Sequence, residues 1–173
     1  MSGNTVRSIV IAIAVLILLI SLPGVAPSIQ GRLFCFPVAV ASSFFLGSPA
    51  EAMEDGSYLI DAGGVPVSVA GSCSAFNYFV LLSTLLTGTC AYYFTAARVM
   101  RNVFPLLFLS YVISVAANTV RVIASVYAYK ACGALLPGNY GHALHMSVGA
   151  VVFLTVTIMS FAVFERRFSG GDR

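Results

Sequence analysis

The chain has 173 residues, of which 59% are hydrophobic and only 9% charged, with a formal net charge of +3. A soluble domain carries about 25% charged residues; nine basic and six acidic side chains cannot cover a globule of this size. The small, scattered charge also excludes a nucleic-acid-binding surface, and five runs without Asp, Glu, Lys or Arg (8–31, 33–50, 62–97, 102–120 and 131–164) assign the chain to a lipid bilayer.

The first element is an N-terminal anchor helix over 6–26, whose apolar run from Ser8 to Leu22 follows the single basic Arg7. Its Ile9–Ile20 stretch lacks the alternation of a membrane β-strand. Pro23 and Pro27 end the helix, because each lacks an N–H and disfavours helix at the residue before it. Gly24-Val25-Ala26 has the small residues of a signal-peptide cleavage site, but Pro27 directly after it favours an uncleaved anchor.

The segment 33–47, interrupted by Pro37, is short for a span of about 20 residues and reads as a membrane-embedded or interfacial piece. If it does not span, the chain has four transmembrane helices and a cytoplasmic N-terminus; if it does, there are five and the N-terminus is outside. Arg7 and Arg32 trade places between the two arrangements, so charge counting does not separate them, and the four-span arrangement is preferred. Residues 48–72 form a loop and hairpin in water, since Glu51, Glu54, Asp55 and Asp61 lie there. Tyr58 to Ile60 and Val65 to Val69 are its strands, and Gly63-Gly64 supplies the positive φ of a tight turn.

Core transmembrane helices follow at 73–97, 103–129 and 145–164, with Pro105 in the first turn of the second. Arg98 and Arg101 lie between the first two, and Arg166, Arg167 and Arg173 follow the last. The positive-inside rule puts both groups in the cytoplasm. The hairpin, Cys73 and the loop from Lys130 to Leu144 then face outward. The expected architecture is an all-α integral membrane protein of four to five transmembrane helices, with a small extracytoplasmic β-hairpin before the Cys73 helix.

On this topology a thiol, a guanidinium and an imidazole converge at one depth. Arg121 sits about eight residues from the outer end of its helix, roughly 12 Å down. A charge there costs about 2.5–3.5 kcal/mol on insertion scales and normally faces a polar interior. Asn118, Ser114 and Ser125 share its helical face. The structural alternative is an Arg that snorkels to outer headgroups. Cys73 follows Ser72, an N-cap residue type, which places it among free N–H groups at the positive end of a helix, where a thiolate is favoured. The alternatives for this thiol are packing or a disulfide to Cys132, while Cys35 and Cys90 read as packing. His145 opens the last helix one turn after His142. Two histidines and one cysteine fall short of the ligand set a structural zinc site requires, so no metal or cofactor is expected.

The order Gly71-Ser72-Cys73-Ser74-Ala75, then Asn118-Thr119-Val120-Arg121, then His145-Met146-Ser147-Val148-Gly149 resembles the exosortase/archaeosortase family of membrane cysteine transpeptidases. The resemblance runs from residue 33 to 164, and the small size and Asn77 look closest to the compact exosortase K type. Ala75 stands where the family usually has Gly, and the basic residue common just beyond is absent from Phe76-Asn77-Tyr78. The resemblance implies a plasma (inner) membrane, multi-pass enzyme with its active site on the extracytoplasmic side. Its partners would be exported proteins ending in a short motif, a transmembrane helix and a basic tail. It implies Cys73 as nucleophile forming a thioester, His145 as acid and base, and Arg121 at the oxyanion or substrate. Asn118 would orient Arg121, and the N–H groups of Ser74 and Ala75 would add oxyanion donors. The rival readings are a non-catalytic membrane protein in which Arg121 and Asn118 join helices, and a small transporter or lipid-binding protein using Arg121 as an anion site.

Overall fold

The computed structural model describes residues 3–25, 31–70, 75–132 and 140–169. Helix α1 spans Gly3–Val25. A single π turn at Gly31–Cys35 leads directly into α2, Phe36–Leu46, with Pro37 in its first turn, where a missing N–H costs nothing. Strands β1 (Ala50–Ala52), β2 (Tyr58–Asp61) and β3 (Pro66–Val69) follow, then α3 (Ala75–Tyr93), α4 (Ala96–Cys132) and α5 (Tyr140–Ser169).

The strands form one antiparallel sheet in the order β1-β2-β3. Gly63 and Gly64 have φ of 67° and 84°, positive at both central positions as a type I′ turn requires. Asp61 Oδ1 accepts the Gly64 N–H at 2.8 Å across that turn. The additional strand β1 pairs Glu51 with Leu59; Glu51 and Ala52 are exposed, so it has no apolar alternation to announce it. Between β1 and β2, Asp55 accepts from Ser57 Oγ at 2.6 Å and Ser57 N–H at 2.9 Å, and these bonds hold its carboxyl below the usual carboxylate range. The turn gains this support above the ordinary carboxylate pKa and loses it as pH falls through the lowered one.

Three helical stretches, Ala75–Tyr93, Ala97–Cys132 and Ala143–Arg166, are long and apolar enough to cross a bilayer, and two shorter apolar stretches lie at Ile9–Ser21 and Gly31–Leu46. The outermost side chains are themselves apolar, Phe104, Phe108, Val151, Leu154 and Ile158 among them. A soluble monomer rarely exposes so much apolar surface, whereas in a bilayer it is the lipid-facing side. The chain is an all-α membrane protein with a small β-sheet.

Helix ends differ from the sequence reading in an instructive way. The expected connection at 98–102 is helical: the Thr95 carbonyl accepts from the N–H groups of Arg98 and Val99, and α4 starts at Ala96. Pro105 therefore lies inside the helix rather than in its first turn. Arg98 covers the Phe94 ring at 5.1 Å. Charge marks where the apolar run ends, but Ala, Arg and Met are good helix formers and carry the helix onward into the interface. At about 1.5 Å per residue the 37 residues of α4 measure roughly 55 Å, well beyond the hydrocarbon core of about 30 Å.

Helix α1 packs on α3, α3 on α4, and α4 on both α2 and α5. One buried cluster joins Leu19 of α1, Phe34, Val38 and Ala39, the sheet residues Ile60 and Val69, the start of α3 and Val122. Phe34 is its hub, with the rings of Phe76, Phe79 and Tyr111 at 5.3–5.4 Å. The Tyr111 hydroxyl donates to the Leu33 carbonyl at 2.8 Å, fixing the π turn that leads into α2 against α4. The sheet is thereby anchored beside the first turn of α3 and the Arg121 level of α4.

Candidate active site

Helix α4 buries an unbroken polar face. Ser110, Ser114, Asn118, Arg121 and Ser125 recur every three or four residues, and all are at most 7% exposed. Helix α5 answers with His145, Gly149, Phe153 and Thr157, spaced by four and so on one face. Arg121 and His145 meet where these faces cross.

A guanidinium can only donate, so the Arg121 Nη2–H donates to His145 Nε2 at 2.9 Å. The imidazole then carries its proton on Nδ1, which donates to Ser125 Oγ at 3.0 Å. Nitrogen-15 NMR of selectively labelled histidine is expected to show His145 as this Nδ1–H tautomer. A proton held on Nε2 would contradict the arrangement.

The seat of Arg121 depends on Gly149. A Cβ on Gly149 would lie 2.5 Å from Arg121 Nε, 3.0 Å from Cζ and 3.1 Å from Cδ. With no side chain there, the guanidinium lies against the α5 backbone and faces the Phe153 ring at 5.3 Å. That ring is stacked on Tyr78 of α3, with centroids 4.4 Å apart and planes at 14°. The Tyr78 hydroxyl reaches Thr157 Oγ1 at 3.0 Å and the Phe153 carbonyl at 3.3 Å. Helices α3, α4 and α5 are thus tied together by a layered Tyr78–Phe153–Arg121 stack, with His145 at its end. The Arg121 Nε–H is buried and meets no acceptor among the described residues.

Of the residues singled out in the sequence, the structure brings Arg121 and His145 into direct contact. Asn118 lies one turn before Arg121 on the same face and is fully buried. Ala75 is fully buried in the cluster that also holds Val122. Cys73 and Ser74, and any Cys73–Cys132 disulfide, lie outside the described residues. Arg121 lies about 16 Å from the end of α4 rather than about 12 Å, because the helix continues to Cys132. His145 sits in the second turn of α5 rather than at its start. Sequence reasoning missed Phe153, Tyr78 and the reason for Gly149; the i, i+4 spacing of His145, Gly149, Phe153 and Thr157 was the available signal.

His145 and Ser125 line a cavity of about 340 Å³, closed on its other side by the hairpin from Gly64 to Ser68. A larger cavity of about 670 Å³ lies among Leu86, Cys90, Pro105, Leu109 and Phe164, away from the Arg121–His145 pair and lined mainly by apolar groups. Of these two cavities, the smaller one has an imidazole on its wall among the described residues.

The family model for transmembrane exosortases matches residues 1–162. Comparison with curated proteins and with solved structures finds no match. Spanning nearly the whole chain, from the anchor helix through the His145 helix and the Arg121 face it meets, this match makes the protein a member of the transmembrane exosortase family.

Proposed function

We propose that this chain is a membrane cysteine transpeptidase that processes the C-terminal sorting signals of exported proteins, with its active site on the extracytoplasmic side of the plasma membrane. The observation that carries the reading is His145, hydrogen-bonded to both Arg121 and Ser125, on the wall of a cavity beside the sheet. Cys73 precedes Ala75 by two residues in sequence, and Ala75 belongs to the buried cluster that also holds Val122, the neighbour of Arg121.

In the mechanism, the thiol of Cys73 attacks a peptide carbonyl near the outer membrane surface. Arg121 turns its Nη2–H and its unpartnered Nε–H toward the developing oxyanion, and leaving His145 frees the Nε2 lone pair. That nitrogen takes the thiol proton as the carbon–sulfur bond forms. Ser125 holds the Nδ1–H and keeps the ring oriented, the part a buried carboxylate plays in other triads. Collapse breaks the carbon–nitrogen bond, His145 protonates the leaving amine, and a thioester remains on Cys73. An incoming amine completes transpeptidation; water completes hydrolysis. Asn118 packs one turn from Arg121 and limits where the guanidinium travels. The N–H groups of Ser74 and Ala75 add donors to the oxyanion.

The test is coexpression of the chain with an exported protein from the same genome that ends in a short motif, a hydrophobic span and a basic tail. The tail is expected to be removed only when the chain is present. An intact tail on every such protein would count against the reading.

A further inference from the structure

The outer strand of the sheet borders the cavity, and its hydrogen-bonding phase can be worked out. The Ala62 N–H bonds the Val65 carbonyl at 3.1 Å across the turn, and Ile60 stands opposite Val67 and Tyr58 opposite Val69. Bonded and non-bonded pairs alternate along an antiparallel ladder, so Val67 and Val69 carry the bonds to β2. The other junction agrees. The Met53 N–H bonds the Ser57 carbonyl at 2.9 Å, which makes Glu51–Leu59 the bonded pair to β1 and leaves Tyr58 and Ile60 to face β3. The N–H and C=O of Ser68, with the C=O of Pro66, therefore point away from the sheet.

Five consecutive residues, Gly64 to Ser68, line the cavity. A strand shows one parity of residue through a face and both parities only along its edge. The wall is thus the backbone edge itself, opposite Ser125 and His145. Unpaired edges are usually blunted because they recruit other strands. Here Pro66 removes one donor and leaves Ser68 with the one complete donor and acceptor pair of β3 on that side.

We infer that this edge takes an extended, uncharged segment of the substrate polypeptide as an added strand, delivering its scissile carbonyl to His145. The inference rests on the transpeptidase reading above and specifies how its substrate is held. A free N–H and C=O on one residue match an extended backbone reciprocally, independent of side chains. No Lys, Arg, Asp or Glu lines the cavity among the described residues, and its volume is at the small end for ligand sites, suited to a few residues of chain.

The experiment uses the full chain in lipid vesicles and synthetic versions of the exported tail that it processes, each methylated at one backbone nitrogen before the cleavage point. Methylation at every second position is expected to slow processing roughly tenfold, with little effect at the positions between. Ser68→Pro removes the free N–H in the same outward phase as Pro66 and leaves the bonds to β2 intact; it is expected to raise KM roughly tenfold with kcat little changed. A uniform methylation profile, with processing still dependent on Cys73, would overturn strand addition alone. Processing that persists in Cys73→Ser would overturn the transpeptidase reading and this inference with it.

Discussion

An alanine at position 149 is expected to reduce processing by about 10²–10³-fold while leaving the chain folded. The new methyl would lie 2.5 Å from Arg121 Nε and 3.0 Å from Cζ, inside contact distance of a planar group already held against the Phe153 ring. The guanidinium must leave its seat, taking its hydrogen bond away from His145. Loss of one preorganised oxyanion donor costs on that scale. Helix stability moves the other way, since Ala is favoured over Gly by about 1 kcal/mol in a helix interior. Activity that collapses while the melting temperature holds separates a displaced arginine from a damaged fold. Arg121→Lys is expected to fail as well, because an ammonium lacks the planar fork that serves His145 and a substrate oxygen in turn. A transporter that needs only positive charge at this depth would survive the lysine. Full activity in Gly149→Ala would show that the seat of Arg121 does not matter.

The second large effect is at Cys73. Replacing it by serine is expected to lower processing by about 10⁴-fold or more, the cost of losing one member of a nucleophilic constellation. The two side chains are nearly the same shape, so a cysteine that merely packs would tolerate the change. The remaining cysteines offer no substitute: Cys35 and Cys90 are buried within the helix packing, and Cys132 is exposed at the end of α4. Membrane accumulation equal to wild type, with processing lost, is the outcome that assigns the sulfur a chemical role. Undiminished processing would show that the Cys73 sulfur is not the nucleophile.

Much of this fold is legible from what the sequence leaves out. The long uncharged runs announce the spans, and Asp61-Ala62-Gly63-Gly64 announces the type I′ turn, because local chemistry decides both. Helix ends are less legible, since Arg98 and Arg101 end an apolar run without ending α4, and Tyr140 starts α5 before the apolar run is under way. Strand β1 carries exposed Glu51 and Ala52 and owes its existence to pairing with β2. The functional face of α4 shows in the spacing of Asn118, Arg121 and Ser125. What its partners are does not, because Gly149 and Phe153 matter only through a contact between residues 28 to 32 positions away along the chain. A glycine inside a helix signals close approach in general; that the approaching group is the Arg121 guanidinium is a fact of tertiary packing.

The central claim is that Cys73 carries the acyl group between cleavage and transfer. Mass spectrometry of the full-length chain, acid-quenched during turnover of a processed tail without added amine, examines it directly. The expected result is a substrate fragment attached through Cys73 and released by hydroxylamine, with the attachment missing in Cys73→Ser. Processing that proceeds under the same conditions with the Cys73 peptide unmodified, or with the fragment on another residue, would contradict the account.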